Sequence, residues 1–430
     1  MANEVRLMGE LCNLGCLYCY QEPIRLANNI SSKYDLDKVI AEIEKVGKEF
    51  HLFGGEALLV PKKDLEYLWR YGLERFGKNG LQTNGTLIDD EHIELFKKYK
   101  VSVGVSIDGD GELNSLREVR AGKSGTPEKK ERTLEATETI MRNIKKMVDN
   151  GISVGIIITL HRKNGSRENL PKLIQFIEKL SDIGIKGGNI HTLEVEETMP
   201  NKEDVLTPEE NVEAFLTLAK FFSENKHLRY KPFHEIPDLL KGDDRNATCY
   251  WKNCDPLNTK AVYGIEGNGD ISNCGRVNKE GVGWYKANGT SYSRYISFYH
   301  TPDEYGGCNG CRFWSICGGS CPGESEKGDF RNKTIHCRTQ KALLGYYEDK
   351  LEEEGIVPFT KSPMIKKIEN RLLGWMQEGK SPSVYHAIKV EDEIENKRSE
   401  EIEKQRNSFL EGKRTVIVPV KGDEVVNETA

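Results

Sequence analysis

Between Cys19 and Cys249 this 430-residue chain has no cysteine, although it carries eleven elsewhere. It also lacks any apolar run near the roughly 18 residues that mark a membrane span. No basic-then-apolar signal pattern opens the chain. These absences lead us to expect a cytoplasmic protein with no membrane partner. A basic excess is missing as well. The net charge is −6, and no basic run is interleaved with aromatics, so no nucleic-acid partner is expected. What is present, 37% hydrophobic and 30% charged residues, describes a globular chain with a well-charged surface. Its length allows two or three domains and a large core. An odd cysteine count in a reducing compartment argues against a disulfide framework and for metal ligands. Three cysteines lie before residue 20 and eight between Cys249 and Cys337, so two metal-binding regions flank the cysteine-free segment.

The first region, residues 10–21 (ELCNLGCLYCYQ), spaces Cys12, Cys16 and Cys19 as C-x-x-x-C-x-x-C. Three thiolates are one too few for a closed zinc site or a fully ligated cubane. On a 4Fe–4S cluster this loop leaves one iron open to a small molecule. Zinc knuckles favour two- and four-residue gaps instead.

From there to about residue 235 the pattern alternates strand and helix. Strands are expected at 5–8, 51–53, 80–82, 101–107, 154–159 and 189–195. Helices are expected at 36–46 behind the N-cap Asp35, then 65–76, 91–99, 134–148, 170–180 and 212–222. Six strands alternating with helices imply a parallel sheet with right-handed crossovers, and six fall short of a closed eight-stranded barrel. We therefore expect a partial (β/α)6 barrel. Functional loops of such sheets lie at the carboxyl ends of the strands. There stand the cysteine loop, then Gly54-Gly55-Glu56, then Thr83-Asn84-Gly85, then Ser106-Ile107-Asp108-Gly109. Each alone reads as an ordinary turn. Together on one rim they offer glycines for close backbone approach and polar groups for a charged ligand.

The second region carries Cys249, Cys254 and Cys274, then C-x-x-C-x5-C-x-x-x-C at Cys308, Cys311, Cys317 and Cys321, and a final Cys337. Eight cysteines complete two sites of either zinc or iron–sulfur, so counting does not separate the metals. Gly264-x-x-Gly267-x-Gly269 imitates a nucleotide loop, but no helix pattern follows, and a β-hairpin turn is the better reading.

The loop Cys12–Cys19 with Tyr18 before its last cysteine, Gly54-Gly55-Glu56 and Ser106-x-Asp108 resemble a radical S-adenosylmethionine enzyme. The resemblance implies that Cys12, Cys16 and Cys19 hold a 4Fe–4S cluster whose open iron chelates the methionyl amine and carboxylate. It gives the cofactor's amino group to Gly54, Gly55 and Glu56, its ribose to Ser106 and Asp108, and its adenine to Tyr18. Asn84 is a further candidate, and Arg120 or Arg132 for the carboxylate. The second region resembles a SPASM domain with two auxiliary iron–sulfur clusters, which the same likeness implies are 4Fe–4S. It implies Cys249, Cys254, Cys274 and Cys321 on the nearer one and Cys308, Cys311, Cys317 and Cys337 on the outer. The implied chemistry is reductive cleavage of S-adenosylmethionine to a 5′-deoxyadenosyl radical, fed by a donor such as flavodoxin or ferredoxin, and hydrogen abstraction from a peptide. The product expected is a crosslink or thioether in a ribosomally made peptide. Formylglycine formation on a sulfatase, or maturation of another enzyme, is the alternative. Against the sulfatase reading, those enzymes place a base aspartate shortly after the ligand matching Cys274, where this chain has Gly275-Arg276-Val277-Asn278. Asp270 and Glu324 are the nearby acids, read as solvated turn residues. With the metal loop starting at residue 12, leader recognition is expected from a separate protein, the rim or the tail.

The resulting division is a barrel at 1–235, a SPASM domain at 236–340 and a charged, mainly helical extension at 341–430. In the extension, helices are expected at 341–354, 364–376 and 391–406, the last supported by Glu393/Lys397 and Glu400/Lys404 pairs. Only Ile394 and Ile402 are aliphatic there, the pattern of a solvated helix. Residues 416–420 read as a strand suited to an exposed edge. The rival from another class is a non-catalytic zinc-binding interaction protein. Metal analysis separates the two. Protein made without oxygen should be brown and hold roughly 12 iron atoms per chain if three four-iron clusters fill. A colourless zinc protein would overturn the iron reading.

Overall fold

The computed structural model describes residues 2–26, 33–195, 199–255, 262–277 and 293–410. The expected strand at 416–420 and Asn278 lie outside them. Seven parallel strands run in chain order: β1 (Ala2–Arg6), β2 (His51–Leu52), β3 (Asn79–Thr83), β4 (Val101–Ser106), β5 (Val154–Leu160), β6 (Gly187–Thr192) and β7 (Arg229–Lys231). Two more, β8 (Val262–Glu266) and β9 (Ile271–Ser272), extend the sheet on the far side of β1, giving the order β7-β6-β5-β4-β3-β2-β1-β8-β9. Sequential parallel neighbours wind the chain one way, so the strands' carboxyl ends share one rim. Among the described residues the sheet does not close.

The longer helices are α1 (Leu36–Val46), α2 (Lys62–Phe76), α3 (Asp90–Lys98), α4 (Pro127–Asp149), α5 (Leu170–Asp182), α6 (Pro208–Glu224), α7 (Cys337–Glu353), α8 (Ile365–Gln377) and α9 (Val384–Leu410). Local chemistry sets their ends. Asp35 accepts from Lys38 N to start α1, and Gly47 in the left-handed region ends it. Thr207 and Glu210 form a capping box that starts α6. Inward faces such as Leu173, Phe176, Ile177 and Leu180 of α5 are buried in the same core as the strand residues Val103, Ile156 and Ile158.

Three features exceed the expected six-strand barrel. β7 is three residues long and flanked by charges, so no alternation announces it. α9 begins at Val384 rather than 391, because Asp244, distant in sequence, accepts from Ser383 Oγ at 3.0 Å and Val384 N at 2.9 Å. Among the described residues the ion pairs of α9 run to α8, with Arg371 Nε 2.5 Å from Glu391, rather than through the anticipated i,i+4 pairs.

The third feature matters most. β8 pairs with β1 in parallel over residues Ala2–Arg6, so the second cysteine region continues the barrel's sheet. Arg6, 1% exposed, locks this junction. Its guanidinium donates to Glu266 Oε1 at 3.1 Å through Nε and to Asn273 O at 2.7 Å, with Ser272 Oγ also in contact. A Cβ at Gly264 would lie 2.4 Å from Arg6 Nη2, which explains the first glycine of the hairpin. The β8–β9 hairpin itself is as expected. Replacing Arg6 by Leu leaves buried acceptors and Glu266 without their cation. It should cost about 3–5 kcal/mol, read as a lower urea midpoint by fluorescence of Trp251 and Trp314.

Candidate active site and metal centres

The cysteine loop leaves the end of β1 and is held from two sides. Gly15 N donates to Glu118 O and Leu17 N to Leu116 O, both at 2.8 Å. Beneath it, Gly55 N donates to Gly9 O at 3.0 Å and Glu56 N to Leu11 O at 2.8 Å. A Cβ on Gly55 would stand 2.2 Å from Leu11 O, and one on Gly54 2.6 Å from Gly9 O. The loop's own backbone therefore requires the glycine pair, before any ligand does. Cys12, Cys16 and Cys19 are half-buried.

The rim loops are tied to one another by carboxylates behind them. Glu56 is buried and accepts from Leu58 N at 3.0 Å, Thr83 Oγ1 at 2.7 Å and Asn84 N at 2.7 Å, joining the loops after β2 and β3. Burial pushes its pKa up against these bonds. Asn84 reaches forward, donating to Asn13 Oδ1 at 2.8 Å with Cys12 Sγ 3.8 Å away. Ser106 Oγ accepts from Gln82 Nε2 at 2.8 Å. The Tyr18 hydroxyl donates to Asp108 and accepts from Arg117 Nη1 at 3.1 Å. Asp108 is fully buried and also accepts from Thr159 N at 2.9 Å. Burial opposes its ionisation, but the Arg117 guanidinium and His161 outweigh that and hold the carboxyl below its ordinary range.

A cavity of about 400 Å³ opens onto this rim. Tyr18, Gly54, Gly55, Asn84 and Ser106 line it; Glu56 and Asp108 stand behind it and act through their neighbours. Of the two arginines anticipated for a carboxylate, Arg120 gives its guanidinium to Cys12 O at 3.2 Å and Leu14 O at 3.1 Å, and Arg132 is exposed on α4. Arg25, Lys231 and Arg276 also line the cavity, and the cation beside Cys16 is Arg117, with Nη1 3.9 Å from Cys16 Sγ. Sequence reasoning missed it because nothing local separates it from the other charged residues of its loop.

The same cavity is bounded by Cys12, Cys16 and Cys19 at one end and by Cys249, Cys254, Cys274 and Cys321 at the other. The structure divides the eight later thiols as four and four. Cys274 feels Cys254, Cys321 and Cys249, whereas Cys317 feels Cys308, Cys337 and Cys311. Burial pushes Cys16 and Cys321 up to about 12. Thiols held this high ionise at neutral pH only against a metal's positive charge, and soft thiolates are ligands for iron–sulfur clusters and zinc alike.

Between the two later groups lies Arg294, which sequence reasoning also missed. Its buried guanidinium donates to Phe330 O at 2.6 Å and Ser320 O at 2.9 Å, with Cys254 O and Gly319 O close by. Glu324, expected in a solvated turn, is instead buried, because the fold carries it under β6. It accepts from Thr192 Oγ1 at 2.8 Å and lies 3.5 Å from Arg276 Nη1. Asp270 is exposed in its turn and accepts from Asn268. Arg276 also pairs with Glu194. Burial, then Arg276 and Lys231, hold His191 down to about 3, so a neutral imidazole lines the cavity.

Gly55→Ala should push the loop off its seat while sparing the second region. Iron should fall by roughly four atoms per chain, checked by anaerobic iron and sulfide assay, with the later sites' spectra retained.

Residues 7–177 match the family model of the Radical SAM superfamily. The cysteine-type anaerobic sulfatase-maturating enzyme of Clostridium novyi (strain NT) is 23% identical over 363 residues, 77% of this chain and 91% of that one. The antilisterial bacteriocin subtilosin biosynthesis protein AlbA of Bacillus subtilis (strain 168) is 24% identical over 239 residues, 55% of this chain and 48% of AlbA. Coverage of curated relatives is uneven, from 32% of one to 91% of another. Among solved structures, anSMEcpe with bound AdoMet and the Cp18Cys peptide superposes with a TM-score of 0.63 at 17% identity, over 82% of this chain and 98% of that one. The rim that carries Cys12, Cys16 and Cys19 falls within the segment that matches the Radical SAM superfamily model.

Proposed function

We propose that this enzyme is a maturase that oxidises one residue of a ribosomally made peptide, forming a crosslink or thioether. The observation that carries the reading is the single cavity shared by the first three cysteines and the nearer four. A substrate carbon held against the first group lies in the same enclosure as a second redox-capable group. That suits an oxidation in which a hydrogen atom leaves first and an electron and proton follow. The named relatives include a protein of subtilosin biosynthesis, and a solved neighbour holds a peptide.

When bound at Cys12, Cys16 and Cys19, the cluster and S-adenosylmethionine supply hydrogen-atom abstraction from carbon; the later clusters supply one-electron oxidation. The chain's residues do the rest. Gly54 and Gly55 let the rim close against the cysteine loop, and Asn84 and Ser106 present polar groups to the cofactor. Tyr18, fixed by Asp108 and Arg117, forms a wall. His191 and the Arg276–Glu194 pair give the substrate end its hydrogen-bonding groups. A second reading, formylglycine formation on a sulfatase, is favoured by the Clostridium novyi relative. Arg276 occupies the neighbourhood where that chemistry places an aspartate, and we rank it second.

Anaerobic reconstitution with S-adenosylmethionine, a reductant and candidate peptides tests this. Loss of two hydrogens on one peptide by mass analysis is the expected result. Unchanged mass with solvent deuterium incorporated would point to epimerisation instead. A reconstituted enzyme that forms no 5′-deoxyadenosine with any substrate would refute the assignment.

A further inference from the structure

We propose that fixed charge makes the outer group, Cys308, Cys311, Cys317 and Cys337, the more easily reduced of the two later sites, and that Lys333 and Lys341 set this order. The inference rests on both groups holding iron–sulfur clusters.

Geometry places the two lysines at the outer thiols. Lys341 follows Cys337 by one turn of α7, on the same face. Lys333 N donates to Gly306 O at 3.3 Å, in the stretch that leads to Cys308. Both ammonium groups converge on Asp303 Oδ1, at 2.6 Å and 3.4 Å. Two cations thus share one carboxylate. Lys333 is only 15% exposed, so solvent screens it weakly. Arg312, near Cys311, adds no net charge, because Glu348 lies 2.8 Å from it.

Around the cavity-side group the balance is reversed. Glu194 and Glu324 share one cation, Arg276, whose Nη1 stands 4.0 Å from Cys321 Sγ. Arg294 touches backbone at Cys254 and at Gly318 beside Cys317, so it acts on both groups alike. A reduced cluster carries one more negative charge than its oxidised form. Net positive surroundings favour it and net negative surroundings disfavour it, and net charge is among the factors that set cluster potentials. One electron arriving on the cavity side is then drawn outward: the inner site is oxidised by one electron as the outer is reduced, and no proton moves.

The test is a redox titration of the anaerobically reconstituted holoenzyme, followed by electron paramagnetic resonance without peptide. The signals are assigned with a Cys311→Ala variant. In the wild type the outer site should reduce first. Lys333→Gln with Lys341→Gln should shift the electron partition toward the inner site at least tenfold, ~59 mV for one electron, while the inner potential holds. Lys333→Arg should preserve the wild-type order. If the double variant loses outer iron, Lys341→Gln alone, at a 43% exposed position, carries the test. A wild type whose inner site reduces first, or a fully loaded Gln variant with unchanged potentials, would overturn the proposal. Absence of iron from both later groups would overturn the cluster reading itself, a distinct failure seen before any titration begins.

Discussion

The parallel ladder between β1 and β8, locked by the buried Arg6 side chain, brings the two cysteine regions to one cavity. β1 feeds directly into the loop of Cys12, Cys16 and Cys19, and β8 leads through the hairpin to Cys274. With β1 as their common neighbour, both ends of the cavity are referred to one strand. A rotation of the second region would need the ladder broken and Arg6 stripped of its acceptors, a cost that buried ion pairs make steep.

Within that frame, most polar groups of the rim hold one another rather than face the cavity. Glu56 spans two strand-end loops, and Asp108 fixes Tyr18 with help from Arg117 and His161. Such buried networks are expensive unless every member finds a partner, and rigid once they do. Rigidity suits chemistry in which a reactive species must meet one chosen carbon. On the far side Arg294 performs the same service, gathering backbone carbonyls of several loops around one guanidinium.

Much of this was legible in the chain. The helix at Leu36–Val46 could be placed to the residue because its N-cap and apolar spacing are local signals. The C-x-x-x-C-x-x-C loop, the Gly54-Gly55 turn and the hairpin glycines also speak through short-range spacing. The functional reading of residues set far apart, including the four-and-four division of the later thiols, came instead through resemblance to a family. Arg117, Arg294 and the burial of Glu324 were not legible, since each acquires its role from partners remote in sequence. Glu56 and Asp108 were read as facing a cofactor, and their carboxylates turn inward to backbone and side-chain donors.

By itself, then, the sequence determined the alternation of strands and helices, the rim on which the first three thiols sit, and a metal-binding class for the rest. Periodicity, caps and ligand spacing act over a few residues and survive without a fold. Only the tertiary structure decided that β8 would extend the barrel's own sheet, that one cavity would join two cysteine groups, and which cations would stand beside each. Those outcomes depend on pairing and burial between segments hundreds of residues apart, such as Arg6 with Asn273. There the deciding quantity is which buried charge finds a partner, and no local pattern encodes that.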